Sequence, residues 1–155
     1  MPHEFRHGTY LISDDSARLD VDAVHAYLSR SYWAAGIPRE VVARSLSNSL
    51  CLGIYAGDDK QVGLIRVVSD FATFAYLCDV YVLEEHRRHG LAKAAMQLTM
   101  SHPRLQNLRG WSLRTRDAHG LYAQFGFKPL TNPQDSMALR FPGIYNPPVS
   151  PSSDR

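Results

Sequence analysis

The chain has 155 residues, 45% hydrophobic and 21% charged, with 17 Lys and Arg against 15 Asp and Glu. That size fits one domain with a real core, and a net charge of +2 is too small to argue for nucleic acid, whose binders carry a concentrated basic face. No apolar stretch reaches a membrane span and the opening Met1-Pro2-His3-Glu4-Phe5-Arg6-His7 lacks a signal-peptide core, so a cytoplasmic protein without membrane partners is expected.

Tyr10-Leu11-Ile12 reads as a first strand, closed by the polar cluster Ser13-Asp14-Asp15-Ser16. Asp20 is placed to cap a helix with Val21, Val24 and Leu28 at helical spacing, running toward Tyr32-Trp33 and stopped by Gly36. Pro38 opens a second short helix through Val42 and Leu46. Three strands follow, Leu50 to Ala56, Val62 to Val68 and Phe74 to Leu83, the first two joined by the hairpin turn Gly57-Asp58-Asp59-Lys60. Cys51 and Cys78 fall inside these strands without paired-cysteine spacing, which predicts free buried thiols and no metal site.

The junction Arg87-Arg88-His89-Gly90-Leu91-Ala92 then leads into a helix striped by Leu91, Ala94, Ala95 and Leu98 and ended by Pro103. A helix opening leaves backbone N–H groups unpartnered at the positive end of its dipole, so this junction is a candidate anion grip of the kind a diphosphate requires. Trp111 to Thr115 is a further strand and Arg116 to Phe125 a further helix, with Gly126 as its stop. Phe127 to Leu130 and Ser136 to Phe141 are expected as two closing strands. Residues 1–142 form the expected single domain and 143–155 a Pro/Ser-rich tail. The crossover helix makes the strands on either side of it parallel neighbours, and ligands in such sheets sit beyond the strands' carboxyl ends.

These residues resemble the GNAT superfamily of acyl-CoA-dependent N-acyltransferases. Its Q/R-x-x-G-x-G/A hallmark is met by Arg87-x-x-Gly90-x-Ala92. The block from Thr115 through Ala118, Tyr122 and Gly126-Phe127 follows the family's N-x-x-A-x-x-x-Y-x-x-x-G-F, and the shared element order covers roughly residues 9–141. The resemblance implies an α/β fold built on a mixed, mostly antiparallel twisted sheet of about seven strands, with helices on both faces and splayed fourth and fifth strands. It also implies acetyl-CoA as co-substrate and, because dimers are common in the superfamily, a homodimer.

By the same resemblance, the amides of Arg88, His89, Gly90, Leu91 and Ala92 would wrap the pyrophosphate, with Arg87 adding charge. Backbone groups of Val80 and Val82 would bond the pantetheine arm, and the Val80 N–H would meet the thioester carbonyl and the oxyanion formed on attack. Tyr122 would protonate the leaving thiolate or hold it by a hydrogen bond. Thr115 stands where many members have Asn at a pantetheine contact, Arg88 replaces a common glycine, and Glu84 replaces a frequent proline.

Asp79 is the candidate base that would take the acceptor's proton; its other reading is a strand Asp paired with an arginine. Glu84, Glu85 and His119 are alternatives. The acceptor pocket is expected from the two early helices, where Tyr27, Tyr32 and Trp33 cluster near Ser45, Ser47 and Asn48. The chemistry so implied is acetyl transfer to a primary amine of a small molecule or protein, by direct attack in a ternary complex. A non-catalytic acyl-CoA sensor or interaction module is the other reading. A nucleotide-binding protein fits less well, because the loop lacks the Walker Lys-Ser/Thr pair and the three-glycine Rossmann pattern.

Overall fold

The computed structural model describes residues 1–146. One six-stranded sheet runs in chain order: β1 (Glu4–His7), β2 (Tyr10–Ser13), β3 (Leu50–Tyr55), β4 (Gln61–Ser69), β5 (Phe74–Val82) and β6 (Gly110–Leu113). Neighbours are antiparallel from β1 to β5, and β6 lies parallel to β5. The helices are α1 (Val21–Leu28), α2 (Arg39–Ser47), α3 (Leu91–Met100) and α4 (His119–Ala123).

Both faces of the sheet are covered, which is why β3 is apolar and buried along its whole length instead of alternating. On one face Val24 and Leu28 of α1 and Val42 and Leu46 of α2 pack on Cys51, Leu64 and Tyr81. On the other, Leu91, Ala95 and Met96 of α3 and Tyr122 of α4 share a core with residues including Leu52, Ile65 and Leu77. Asp20 caps α1, accepting from the Ala23 amide at 3.0 Å. No helix among the described residues is long and apolar enough to cross a membrane.

The sheet has six strands where about seven were expected, and two differences produce that count. Strand β1 had no apolar signal because Glu4, Phe5 and Arg6 are all exposed on the sheet's edge, held by their register with β2. The expected closing strands Phe127 to Leu130 and Ser136 to Phe141 do not form. A strand needs a neighbour for its backbone groups as well as an alternating pattern, and Pro129 and Pro133 withhold donors here. Met137 and Leu139 alternate as a strand would, yet they stand 99% and 83% exposed.

Helix α1 ends at Leu28, so Tyr32 and Trp33 sit in the turns leading to Gly36. The expected tail begins with a turn in which the Asn146 side chain donates to the Ala35 carbonyl at 2.8 Å; its remainder, residues 147–155, lies outside the described residues.

Candidate active site

Strands β5 and β6 pair only from Phe74 opposite Gly110 to Leu77 opposite Leu113. Beyond that point β6 ends, while β5 continues to Val82 with no strand among the described residues along its β6-side edge. The parting opens a cleft of about 1540 Å³, larger than the usual 300–1,000 Å³ ligand pocket and able to hold an elongated ligand with a second one at its end. Val80 and Val82 line it, and Arg88, Gly90, Leu91 and Ala92 lie at the loop end.

Within the parting, β5 bulges. Arg66 of β4 pairs with Cys78 and Leu64 pairs with Tyr81, so Asp79 and Val80 together oppose the single residue Ile65. Asp79 sits at φ +50°, a left-handed conformation uncommon outside glycine, though Asp tolerates it better than most. Its carboxylate is committed: one oxygen accepts from Arg66 Nε at 2.7 Å, the other from the Trp33 indole at 2.8 Å. Of the two readings of Asp79, the structure displays the arginine pair, and that pair ties the bulge to β4 and to the turn after α1. Arg66 carries the only charge in β4, a sequence signal that could have exposed the pairing.

The candidate anion loop is built on two left-handed residues, Arg88 at φ +67° and Gly90 at φ +71°. Arg88 thus adopts the conformation a glycine would take freely, at a cost of about 1–2 kcal/mol. The first intrahelical bond of α3 closes from Ala94 to Gly90, leaving the amides before it without helix partners. The His89 carbonyl bonds His7 Nε2 at 2.6 Å and its ring lies 5.8 Å from that of Tyr10; His89 does not line the cleft. Arg87 braces the site, donating from Nε to the Val82 carbonyl at 3.0 Å and from a terminal nitrogen to the Tyr27 hydroxyl at 3.3 Å.

Tyr122, 8% exposed on α4, lines the cleft, and burial pushes its phenol up to about 12. Thr115 also lines the cleft and holds the turn before α4, its hydroxyl accepting from the Ala118 amide at 3.0 Å. Of the other candidate bases, Glu84 is held at about 2 by hydrogen bonds from Arg30, while Glu85 and His119 lie outside the cleft.

Tyr27, Tyr32, Trp33 and Ser45 form the wall contributed by the early helices and the turns between them, whereas Ser47 and Asn48 bond the Arg44 carbonyl and do not reach the cleft. Tyr27 stacks on Tyr81 at 3.9 Å, and Tyr32 meets Trp33 edge-on at 5.0 Å. Among the lining residues that escaped the sequence reading are Arg116, Arg140 and Tyr145. Arg116 carries its guanidinium 3.8 Å above the Tyr32 ring, and Arg140 and Tyr145 come from the segment after α4. Arg116 occupies a variable position of the block that starts at Thr115, Arg140 and Tyr145 lie outside both motifs, and each reaches the cleft only through the fold.

The family model described as an acetyltransferase (GNAT) domain matches residues 47–129. A protein of Gibberella zeae that bears an acetyltransferase name is 33% identical over 129 residues, 71% of this chain and 70% of its own. Among solved structures, a GNAT-family protein of Xanthomonas campestris pv. campestris aligns with a TM-score of 0.86 and 48% identity, over 89% of this chain and 97% of that one. A protein of Clostridium acetobutylicum that bears an acetyltransferase name, solved with acetyl-CoA, shares the fold at 15% identity and a TM-score of 0.61, over 84% and 94% of the two chains. The chain therefore belongs to the GNAT family of acetyltransferases.

Proposed function

We propose that this protein transfers the acetyl group of acetyl-CoA to a primary amine of a small molecule or protein, by direct attack within a ternary complex. The observation that carries this reading is the unpaired edge of β5 at the Asp79 bulge, which faces a cleft ending in the Arg88–Ala92 loop. A fold neighbour solved with acetyl-CoA supports the choice of co-substrate.

In this reading the loop amides receive the pyrophosphate and the β5 edge takes the pantetheine arm as an added strand. The Val80 N–H donates to the thioester carbonyl and, more strongly, to the oxyanion formed when the amine attacks. The carbon–sulfur bond then breaks, and Tyr122 donates a hydrogen bond to the departing thiolate. Asp79 and Glu84 are both engaged by arginines, so the amine's proton leaves through water in the open cleft. Attack by the small neutral fraction of an alkylamine makes the rate rise with pH, since such amines titrate near about 10.4.

A thiol-release assay with acetyl-CoA and a panel of amines, with the product identified by mass, tests the reading. Acceptor-dependent thiol release and a product heavier by one acetyl group are expected. Saturable acetyl-CoA binding without acceptor-dependent release would identify a binding module instead.

A further inference from the structure

The acceptor end of the cleft is cationic in a way that the amine alone does not explain. Arg87, Arg88 and Lys93 stand at the loop end, where the coenzyme's phosphates would go. Away from the loop, Arg116 lines the cleft at Tyr32, and Arg140 also lines the cleft; neither forms an ion pair among the described residues, unlike Arg30 and Arg66. The lining carboxylates there are Asp79, taken by Arg66 and Trp33, and Asp117. A site shaped for an acceptor whose only charge is its ammonium would show the opposite balance.

The Arg116 geometry is specific. Its guanidinium stacks on the Tyr32 ring at 3.8 Å, which fixes the plane while leaving the N–H edge available for a bidentate anion. Its backbone amide separately donates to the Tyr32 hydroxyl at 3.3 Å, joining the α4 side of the cleft to the turn after α1. Tyr32 and Tyr122 both line the cleft, so this bridge faces the same cavity as the phenol proposed to meet the sulfur.

From this arrangement we infer that the acceptor carries, besides its amine, a carboxylate or phosphate gripped by Arg116 on Tyr32, with Arg140 adding charge. The inference rests on the acetyl-transfer reading for the amine, but the anion grip can be read without turnover. Because the amide of residue 116 holds the Tyr32 hydroxyl, Arg116→Gln removes the cation and leaves the wall joined.

Turnover is compared among β-alanine, phosphoethanolamine and propylamine at saturating acetyl-CoA, in wild type, Arg116→Gln and Arg116→Lys. The anionic amines are expected to exceed propylamine in kcat/KM by about tenfold or more. Arg116→Gln should shrink that preference about 10- to 100-fold, chiefly through KM, and Arg116→Lys should keep part of it. A purely structural role would lower all three amines alike and overturn the inference. The larger of the two anionic preferences names the group.

In parallel, intrinsic fluorescence of the CoA-loaded protein, with Trp33 in the cleft wall, is titrated with phenylacetate, phenylphosphonate and phenylacetamide. The anions should bind, the amide should not, and Arg116→Gln should lose the difference. If the anions bind through Arg116 while no amine is acetylated, the grip stands and the transfer reading fails. If amines are acetylated with no anionic preference and no anion binding, the grip is refuted and the transfer reading stands. Failure in both arms sinks both.

Discussion

Replacing Tyr122 with Phe separates two roles that the same phenol could play. The side chain is 8% exposed, and burial raises its pKa to about 12. An ordinary thiol titrates near about 8.5, so handing the proton fully to the thiolate would run uphill by about 3.5 units, or about 5 kcal/mol. Donating a hydrogen bond to the developing charge involves no such cost and contributes about 1.5–3 kcal/mol. Tyr122→Phe is therefore expected to lower kcat by about 10- to 150-fold while changing the KM for acetyl-CoA by less than about threefold. Phe keeps the packing against Phe127, 6.1 Å away between ring centroids, so the melting temperature should hardly move. Steady-state thiol release against pH is the assay. With the phenol protonated to about pH 12, wild type should show no falling limb from Tyr122 ionisation below pH 10. A variant within twofold of wild type, or a wild-type falling limb below pH 9 that the variant abolishes, would refute the reasoning.

Gly90→Ala forces a Cβ onto φ +71°, where the nearest obstacle is His7 Nε2 at 3.6 Å, so the cost is backbone strain of about 1–2 kcal/mol rather than a clash. Chemical denaturation should show that loss, and calorimetry weaker acetyl-CoA binding; an unchanged affinity would remove the loop from the cofactor site. Asp79→Ala leaves Arg66, 19% exposed in its side chain, with only the Ser49 hydroxyl as partner among the described residues. The loss should be about 2–3 kcal/mol by urea denaturation, below the 3–5 of a fully buried broken pair. Asp79→Asn, which removes the charge but suits the left-handed backbone and can still accept from Trp33, should cost less. A loss under about 0.5 kcal/mol in both variants would contradict the ion-pair account. Burial raises the thiols of Cys51 to about 12 and Cys78 to about 11, and the Tyr122 phenol to about 12. Groups whose native pKa is raised stabilise fully below their unfolded values, 9.0 for the thiols and 10.0 for the phenol, and lose that contribution as pH climbs to the native ones. The melting temperature should thus hold to about pH 8.5 and fall from pH 9 toward 12; a flat profile to pH 11 would argue that these groups are not buried.

The parts of the molecule readable from sequence are those where local pattern and tertiary need agree. Strands β3 to β5 are apolar runs bounded by polar turns, and the turn at Asp58-Asp59 closes with the Ala56 amide on the Lys60 carbonyl at 2.9 Å. The loop before α3 was readable because glycine at position 90 and the apolar stripe after it mark a helix opening. What stayed hidden depends on distant partners. The bulge at Asp79 is set by register between β4 and β5, and its ion pair spans 13 residues. The contact of Arg116 with Tyr32 spans 84 residues, and nothing local to either residue announces it. Strand β1 is exposed and edge-bound, so its pairing owes nothing to hydrophobic pattern. The alternation of Met137, Leu139 and Phe141 misled in the other direction, because alternation says which faces a strand would have and nothing about who supplies its hydrogen bonds.

Amide hydrogen exchange with and without acetyl-CoA tests most directly whether the parted strands and the loop form the coenzyme site. Protection concentrated at Val80–Val82 and at Arg88–Ala92, with little change in β1 to β3, is the predicted pattern. Bound coenzyme that leaves those two segments unprotected, or protects a different face of the sheet, would contradict it.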